Sequence, residues 1–509
     1  MYTFRTIVPK SMGLIARQSF KAATVTYAGV ALGVVNSLYI YTKMLTVDQL
    51  GEITFLHTTV AMLAPLIVFG LGSALVRFYP EVKEDSRAKD VLFTIVFSLV
   101  LLNVVLFSSV ALIFREQFFG WITNEESFLL ATSFALVGMT CMQAFIYLST
   151  SMASLNGRIA VPSMLVQVIK VAQPFLVILF YFKVISFEMV VHGLLIYYII
   201  LAIVYIKYSL SLESFGISFA VGKLPFNLKS MLVFAFFSVL GSVGGALTNQ
   251  IDVVMVTNIL GKYETGLYGW SLFFITVIAI PYSLIGAVAT PLISQYWQDE
   301  NYYELDKIYK QSSSTLFVIS LGLFVSILAG IDELFTIMPK GDEYRLAKSL
   351  VVLLCIAKVI DLATGLNNQI IAMSKSYKIL LVFLTMTAMS NIGLNILFIP
   401  IYGIEGSAFA TIVSIVLYNG LKFMFLKLKY NLNPFSQKMI TTLVLGFIVI
   451  VLTYLVPRLN FPWINILLFS GGSFVIYFLS VYVLRLAPEL NNFVNKQFIR
   501  IGIKPFDKK

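Results

Sequence analysis

Residues 44–76 read MLTVDQLGEITFLHTTVAMLAPLIVFGLGSALV, and residues 258–290 read NILGKYETGLYGWSLFFITVIAIPYSLIGAVAT. At an offset of 215 positions Leu45 meets Leu260, Gly51 meets Gly266 and Phe69 meets Leu284, while Pro65 and Pro281 fall one position apart. In both copies an apolar span ends in a short turn and a glycine, and the next span carries a proline near its middle. A second pairing, at an offset near 218, sets VIKVAQPFLVILF (168–180) beside LTMTAMSNIGLNILFIP (384–400) and brings Gln173 onto Asn391. An offset held across two regions reads as a duplicated unit. With six spans per unit the copies are parallel repeats, which is transporter architecture.

The composition sets this repeat in a membrane. Of the 509 residues, 59% are hydrophobic and 12% charged, with a mean hydropathy of +0.90. A soluble domain carries about 25% charged residues. Long uncharged runs favour helices, which satisfy their own backbone in lipid, over barrel strands. The expected fold is an all-α integral membrane protein with about fourteen spans, the first at 17–42, the second at 53–76 and the last two at 438–456 and 462–484. The expected organisation is a six-helix lobe over 1–210, a second over 211–430, and two additional helices with a basic tail over 431–509.

The charge supports that count. The net charge is +11, and taking alternate loops from the N-terminus collects 26 of the 36 Lys and Arg. The other loops hold 8, with Lys170 and Lys358 left inside spans. By the positive-inside rule the rich side is cytoplasmic and holds both termini. The basic excess is therefore topology and contact with anionic membrane lipids, not nucleic-acid binding. The opening MYTFRTIVPKSMGLIARQSF lacks the apolar core and cleavage site of a signal peptide. Cys141 and Cys355 lie in apolar segments and imply no disulfide framework, and His57 and His192 belong to no metal-spaced cluster. The longest polar interval, around 207–229, cannot hold a folded domain. No metal site, no cofactor and no enzyme activity is expected.

Three stretches carry a family resemblance: MLTVDQLGEI (44–53), GLGSALVRFYP (70–80) and TNQIDVVMVTNILGKYETGLYGW (248–270). With the repeat and the helix count, they resemble the polysaccharide-biosynthesis (Wzx-like) flippases of the multidrug/oligosaccharidyl-lipid/polysaccharide exporter superfamily. The resemblance implies a flippase of the bacterial inner membrane that moves a polyprenyl-diphosphate-linked oligosaccharide outward by alternating access. It also implies a cavity between lobes lined mainly by spans 1, 2, 7 and 8, with H+ or Na+ as the coupling ion. Related branches export cationic drugs, which is the alternative function.

Candidate site residues follow from charge at membrane depth. Gln167, Lys170 and Gln173 are spaced i, i+3, i+6 and form a polar stripe, beside Pro174. An intramembrane Lys is a functional candidate by default. Lys170 either meets a diphosphate as a point charge or pairs with a buried carboxylate. Arg17 and Lys21, entering span 1, and Arg77, leaving span 2, are three cations at one expected mouth. They suit a diphosphate headgroup, and they are also what the positive-inside rule places there. Asn249 and Gln250 precede Asp252, where the family pattern has an Asp, after the glycine-rich VLGSVGGALTNQ. Asp252 is a candidate for ion coupling or for pairing with a cation. Lys358 and Asp361, at i, i+3, can neutralise one another. Asn367, Asn368 and Gln369 offer amides to sugar hydroxyls or cap a helix. His57 and Glu52 suit a proton relay or a hydrogen-bonded core, and GLYGW (266–270) suits sugar stacking or an interfacial belt. A membrane glycosyltransferase is the least favoured class, because the expected outer loops are short.

Overall fold

The computed structural model describes residues 28–122, 130–158 and 160–500. Among them every regular element is helical and no strand occurs. Twelve of these helices are long and apolar enough to cross a membrane, and thirteen if one bent pair counts as a single span. The first expected span, 17–42, is described from residue 28 onward, and 17–27 lie outside the described residues.

The chain forms two compact units, 1–269 and 270–509. In the first unit, α1 covers residues 28–44 and contains a π-helical turn at Asn36–Ile40. Then come α2 (Val47–Val68), α3 (Leu71–Val82), α4 (Ser86–Ile113), α5 (Arg115–Ile122) and α6 (Leu130–Leu155). They are followed by α7 (Ala160–Tyr181), α8 (Phe187–Leu212), α9 (Leu228–Leu260) and the start of α10 (Lys262–Gln298). Helix α9, read from sequence as the first span of the second lobe, packs on α2 and α3. The segment linking α8 to α9 is strapped onto α4. Gly216 N–H donates to Asp90 at 2.8 Å, Ser218 N–H to the Thr94 hydroxyl at 3.0 Å, and Phe215 stacks on Phe93.

The second expected span does not run through 53–76. Thr46 caps α2 with a reciprocal Gln49 contact, and α2 ends where Phe69 and Gly70 both take positive φ, 51° and 68°. Gly tolerates that conformation at no cost, whereas the run of apolar residues around it gave no sign of a break. Pro65 still accepts its regular helical bond from Phe69 N–H, and the Ile67 carbonyl accepts from the Asn103 amide at 2.9 Å. In lipid such backbone groups need protein donors, so Asn103 makes the break affordable.

The second unit continues α10 and adds α11 (Tyr302–Ile337), α12 (Gly341–Ala363), α13 (Asn367–Met373), α14 (Ile379–Tyr402) and α15 (Ile404–Tyr430). Helices α16 (Gln437–Leu455) and α17 (Pro462–Val483) follow, then the short amphipathic α18 (Pro488–Arg500). The expected tenth span, 349–372, is the bent pair α12 and α13, which meet at 44°. The two additional helices explain an asymmetry. The apolar window of α11 is 78% buried, whereas that of α4, third in its own unit, is 39% buried. Both α16 and α17 pack on α11, where Gly322 faces Tyr477, Gly330 faces Ser470 and Gly446 faces Leu321. Small residues let helices approach closely enough for van der Waals contact to hold them in lipid. The Tyr477 hydroxyl donates to the Val318 carbonyl at 3.0 Å.

Candidate functional site

The first unit holds a hydrogen-bonded centre around His57. Pro174 has no N–H, so it leaves the Lys170 carbonyl, four residues earlier, without its helical donor. The Asn36 amide, presented by the π-helical turn of α1, donates to that carbonyl at 2.8 Å. One residue of α7, Val168, departs from the regular α-helical pattern, its N–H donating to the Leu165 carbonyl at 3.1 Å while its backbone stays right-handed helical. The expected stripe meets two helices. Gln167 approaches Gly29 of α1, and Gln173 turns to His57 of α2. His57 is held from both sides, with Nε2 3.1 Å from Gln173 Oε1 and Nδ1 3.1 Å from the Tyr198 hydroxyl. These groups line a cavity of about 280 Å³ with Gln143 and Tyr197. The side chain of Lys170 is half-buried, and among the described residues no carboxylate lies within ion-pair distance of it.

The other candidates of this unit are scattered. Arg77 is 61% exposed, pairs with Glu81 one turn away at 3.6 Å and lies over Phe78. An exposed i, i+4 pair of this kind contributes about 0.3–0.5 kcal/mol, which leaves Arg77 available. Arg17 and Lys21 fall outside the described residues. Glu52 is buried, accepting from the Thr132 hydroxyl at 2.7 Å and pairing with Lys262 at 3.3 Å, which ties α2 to α6 and α10. Asp252 is buried and accepts from the Tyr268 hydroxyl at 3.3 Å. Asn249 is exposed, its amide donating to the Gly245 carbonyl of its own helix, and Gln250 is half-buried. Tyr268 and Trp270 are buried; Trp270 packs against Phe274, Phe335 and Tyr344. Neither ring is available to stack on a sugar.

The second unit gathers charge. Lys358 donates to Asp361 Oδ2 at 2.8 Å, and the Asn419 amide of α15 donates to Oδ1 at 3.0 Å. Asn419 Oδ1 in turn accepts from Thr364 and Asn367, each at 2.9 Å. Tyr418 donates to Asn368 at 3.1 Å and Tyr282 to Gln369 at 2.9 Å. The bend between α12 and α13 is thus the junction where amides and hydroxyls of α10, α12, α13 and α15 converge. On its far side lies an apolar cavity of about 500 Å³, lined by Phe317, Phe324, Phe423 and Leu443, with Thr364 and Asn419 at its edge.

Lys422 completes this cluster, and the charge tally misses it by placing it with the cations of the loop after span 12. It is 2% exposed and its ammonium sits 3.7 Å from the centre of the Tyr418 ring. The signal was its position inside the apolar stretch 404–426.

No family model matches the chain. It is 20% identical, over 226 residues, to the "Probable low-salt glycan biosynthesis flippase Agl15" of Haloferax volcanii. That match covers 43% of this chain and 47% of the relative, so the chain spans about half the length of the curated relative it matches. The fold is similar to that of "Lipid II flippase MurJ, inward closed conformation", with a TM-score of 0.71 at 16% identity, covering 91% of this chain and 98% of that one. It is also similar to a multidrug resistance MATE family transporter of the same superfamily in an inward-facing conformation, with a TM-score of 0.61 at 13% identity, covering 80% and 98%. These relatives are transporters rather than catalysts. The chain is a multi-pass membrane protein with the fold of the multidrug/oligosaccharidyl-lipid/polysaccharide exporter superfamily, and its sequence is similar to that of a flippase.

Proposed function

We propose that the protein is a flippase that carries a lipid-diphosphate-linked oligosaccharide from the inner to the outer leaflet of a cell membrane, for assembly of a surface glycan. The observation that carries this reading is the sign of the buried charge. The polar cluster of the second unit holds two ammonium groups, Lys358 and Lys422, against one carboxylate, Asp361. In the first unit Lys170 adds a cation without a carboxylate beside it among the described residues. A cationic drug would meet repulsion there, and an anionic headgroup attraction that low dielectric strengthens. The name of the Haloferax relative points to the same cargo class. The inner membrane of a bacterium, cytoplasmic termini, and coupling through H+ or Na+ at Asp252 belong to this proposal.

The multidrug-exporter reading keeps one argument, the fold shared with the MATE transporter. Leaflet-resolved flipping in proteoliposomes separates the two. A diphosphate-linked oligosaccharide is loaded and its outward appearance followed with a membrane-impermeant sugar probe. Flipping by the wild type that falls in Lys170→Ala or Arg77→Ala supports the flippase and its cations. Absence of flipping in folded protein that exports organic cations overturns it.

A further inference from the structure

Lys422 is a buried lysine that shares one carboxylate, Asp361, with Lys358. Asp361 is the one carboxylate in its cluster, and both carboxylate oxygens are already engaged, Oδ2 by Lys358 and Oδ1 by Asn419. Among the described residues no carboxylate lies within ion-pair distance of Lys422, and no side chain or carbonyl accepts a hydrogen bond from it. Among the described residues the helices packed against α15 add no carboxylate within ion-pair distance of Lys422. Helix α12 brings Lys358 and Asp361, while α13 and α14 carry no Asp or Glu between Asn367 and Met373 or between Ile379 and Tyr402. The Tyr418 ring face recovers part of the hydration that the ammonium loses, and a buried ion needs more than that. With both lysines protonated the cluster carries one net positive charge beside an apolar cavity.

Its remaining groups suit an anion. Lys358 keeps 24% of its side chain exposed and Asp361 keeps 29%, so the cluster has an open edge. The hydroxyls of Tyr418 and Tyr282, now spent on Asn368 and Gln369, lie in the same junction and can turn to an acceptor. Lysine binds phosphoryl groups as a point charge with three donors.

We propose that Lys422 and Lys358 form a binding site for a phosphoryl anion within the second unit. The choice of a phosphoryl group rests on the transport reading above; the need for an anion does not. The phosphoryl group comes either from a lipid headgroup or from a free phosphate.

The test uses the full-length protein in lipid nanodiscs, with thermal unfolding followed at constant ionic strength. Inorganic diphosphate is titrated in one arm, and a polyprenyl diphosphate is placed in the nanodisc lipid in the other. The expected result is a saturable rise in melting temperature of roughly 3–6 °C at saturating anion. The rise disappears in Lys422→Met, shrinks in Lys358→Met and survives in Lys422→Arg. A rise in both arms marks a general phosphoryl site, and a rise with the lipid alone marks a headgroup site. No saturable rise in the wild type, or an equal rise in Lys422→Met, overturns the proposal. Should Lys422→Met fail to fold, the comparison of Lys358→Met with Lys422→Arg still decides it. Flipping that persists without this binding removes the site and leaves the flippase. Binding without flipping of any lipid-linked glycan does the reverse.

Discussion

Gly51 and Gly266, partners in the sequence repeat, each lie against the backbone of the other's helix. A Cβ at Gly51 would overlap the carbonyl oxygen of Lys262, and a Cβ at Gly266 would overlap that of Val47. Val47 and Lys262 are themselves one repeat apart, so the contact is reciprocal, as in an isologous interface. Positions that the 215-residue offset aligns are thus positions that touch.

Side chains at these glycines must force the helices apart. Gly51→Ala and Gly266→Ala are each expected to cost about 1–3 kcal/mol, the range of overpacked interiors. The double variant costs less than the sum, because the first substitution already separates the shared contact. Gly393→Ala, where a Cβ meets nothing within 4 Å, serves as the control and leaves stability unchanged or slightly raised. Thermal unfolding of the four proteins in one detergent checks this. Equal melting temperatures throughout would show that the contact is loose.

The Asn36 amide stands in for the proline's missing N–H at the Lys170 carbonyl. Asn36→Leu leaves that carbonyl buried without a donor and is expected to cost about 1–3 kcal/mol. Pro174→Ala returns an intrahelical donor, so the pair Asn36→Leu with Pro174→Ala recovers most of the loss. A double-mutant cycle by thermal unfolding reads the coupling; additive costs would break the link.

The C-terminal pair of helices is pinned by charge as well as packing. Arg458 pairs with Glu333, Asp332 pairs with Lys348 at 2.6 Å, and Asn465 reaches Glu333 at 3.4 Å. Glu333 is 5% exposed. Glu333→Ala leaves Arg458 with the longer 4.0 Å contact to Asp332 and its place over Phe469, and is expected to cost about 1–3 kcal/mol. Glu333→Met with Arg458→Met recovers part of it, since a matched apolar pair replaces a buried ion pair at little cost. Unfolding of the wild type and the two variants decides it, and a double variant less stable than Glu333→Ala would refute the pairing argument.

The sequence made the helices legible because lipid admits few alternatives: a backbone there must satisfy itself, so long apolar runs and loop charge mark the spans. The break at Phe69 and Gly70 was hidden, because its compensation comes from Asn103, a residue 33 positions away whose partner no local pattern reveals. The Lys358–Asp361 pair was legible as an i, i+3 spacing, and it is present at 2.8 Å. Lys422 was not. A charge tally sorts residues by side of the membrane, whereas burial depends on which face of α15 meets α12. The stripe Gln167, Lys170 and Gln173 was legible as polar; which residues of α1 and α2 its members meet was not.

Outside the spans, Glu213 supplies a pH-dependent anchor for the strap between α8 and α9. Burial alone would raise its carboxyl, but hydrogen bonds from Lys89 at 2.8 Å and from Tyr79, with the Lys89 charge, outweigh burial and hold it below the usual carboxylate range. A folded-state value below the unfolded one means that the carboxylate adds stability above the unfolded value, and that this is lost as pH falls through the folded one. Lys89→Met removes the cation that lowers it. The stability gap between wild type and Lys89→Met should therefore be constant from pH 8 down to about 5, then narrow at lower pH as Glu213 protonates. Melting temperatures of the two proteins across that range check the sign. A gap that widens toward acid would mean that Glu213 is held above, not below, its ordinary value.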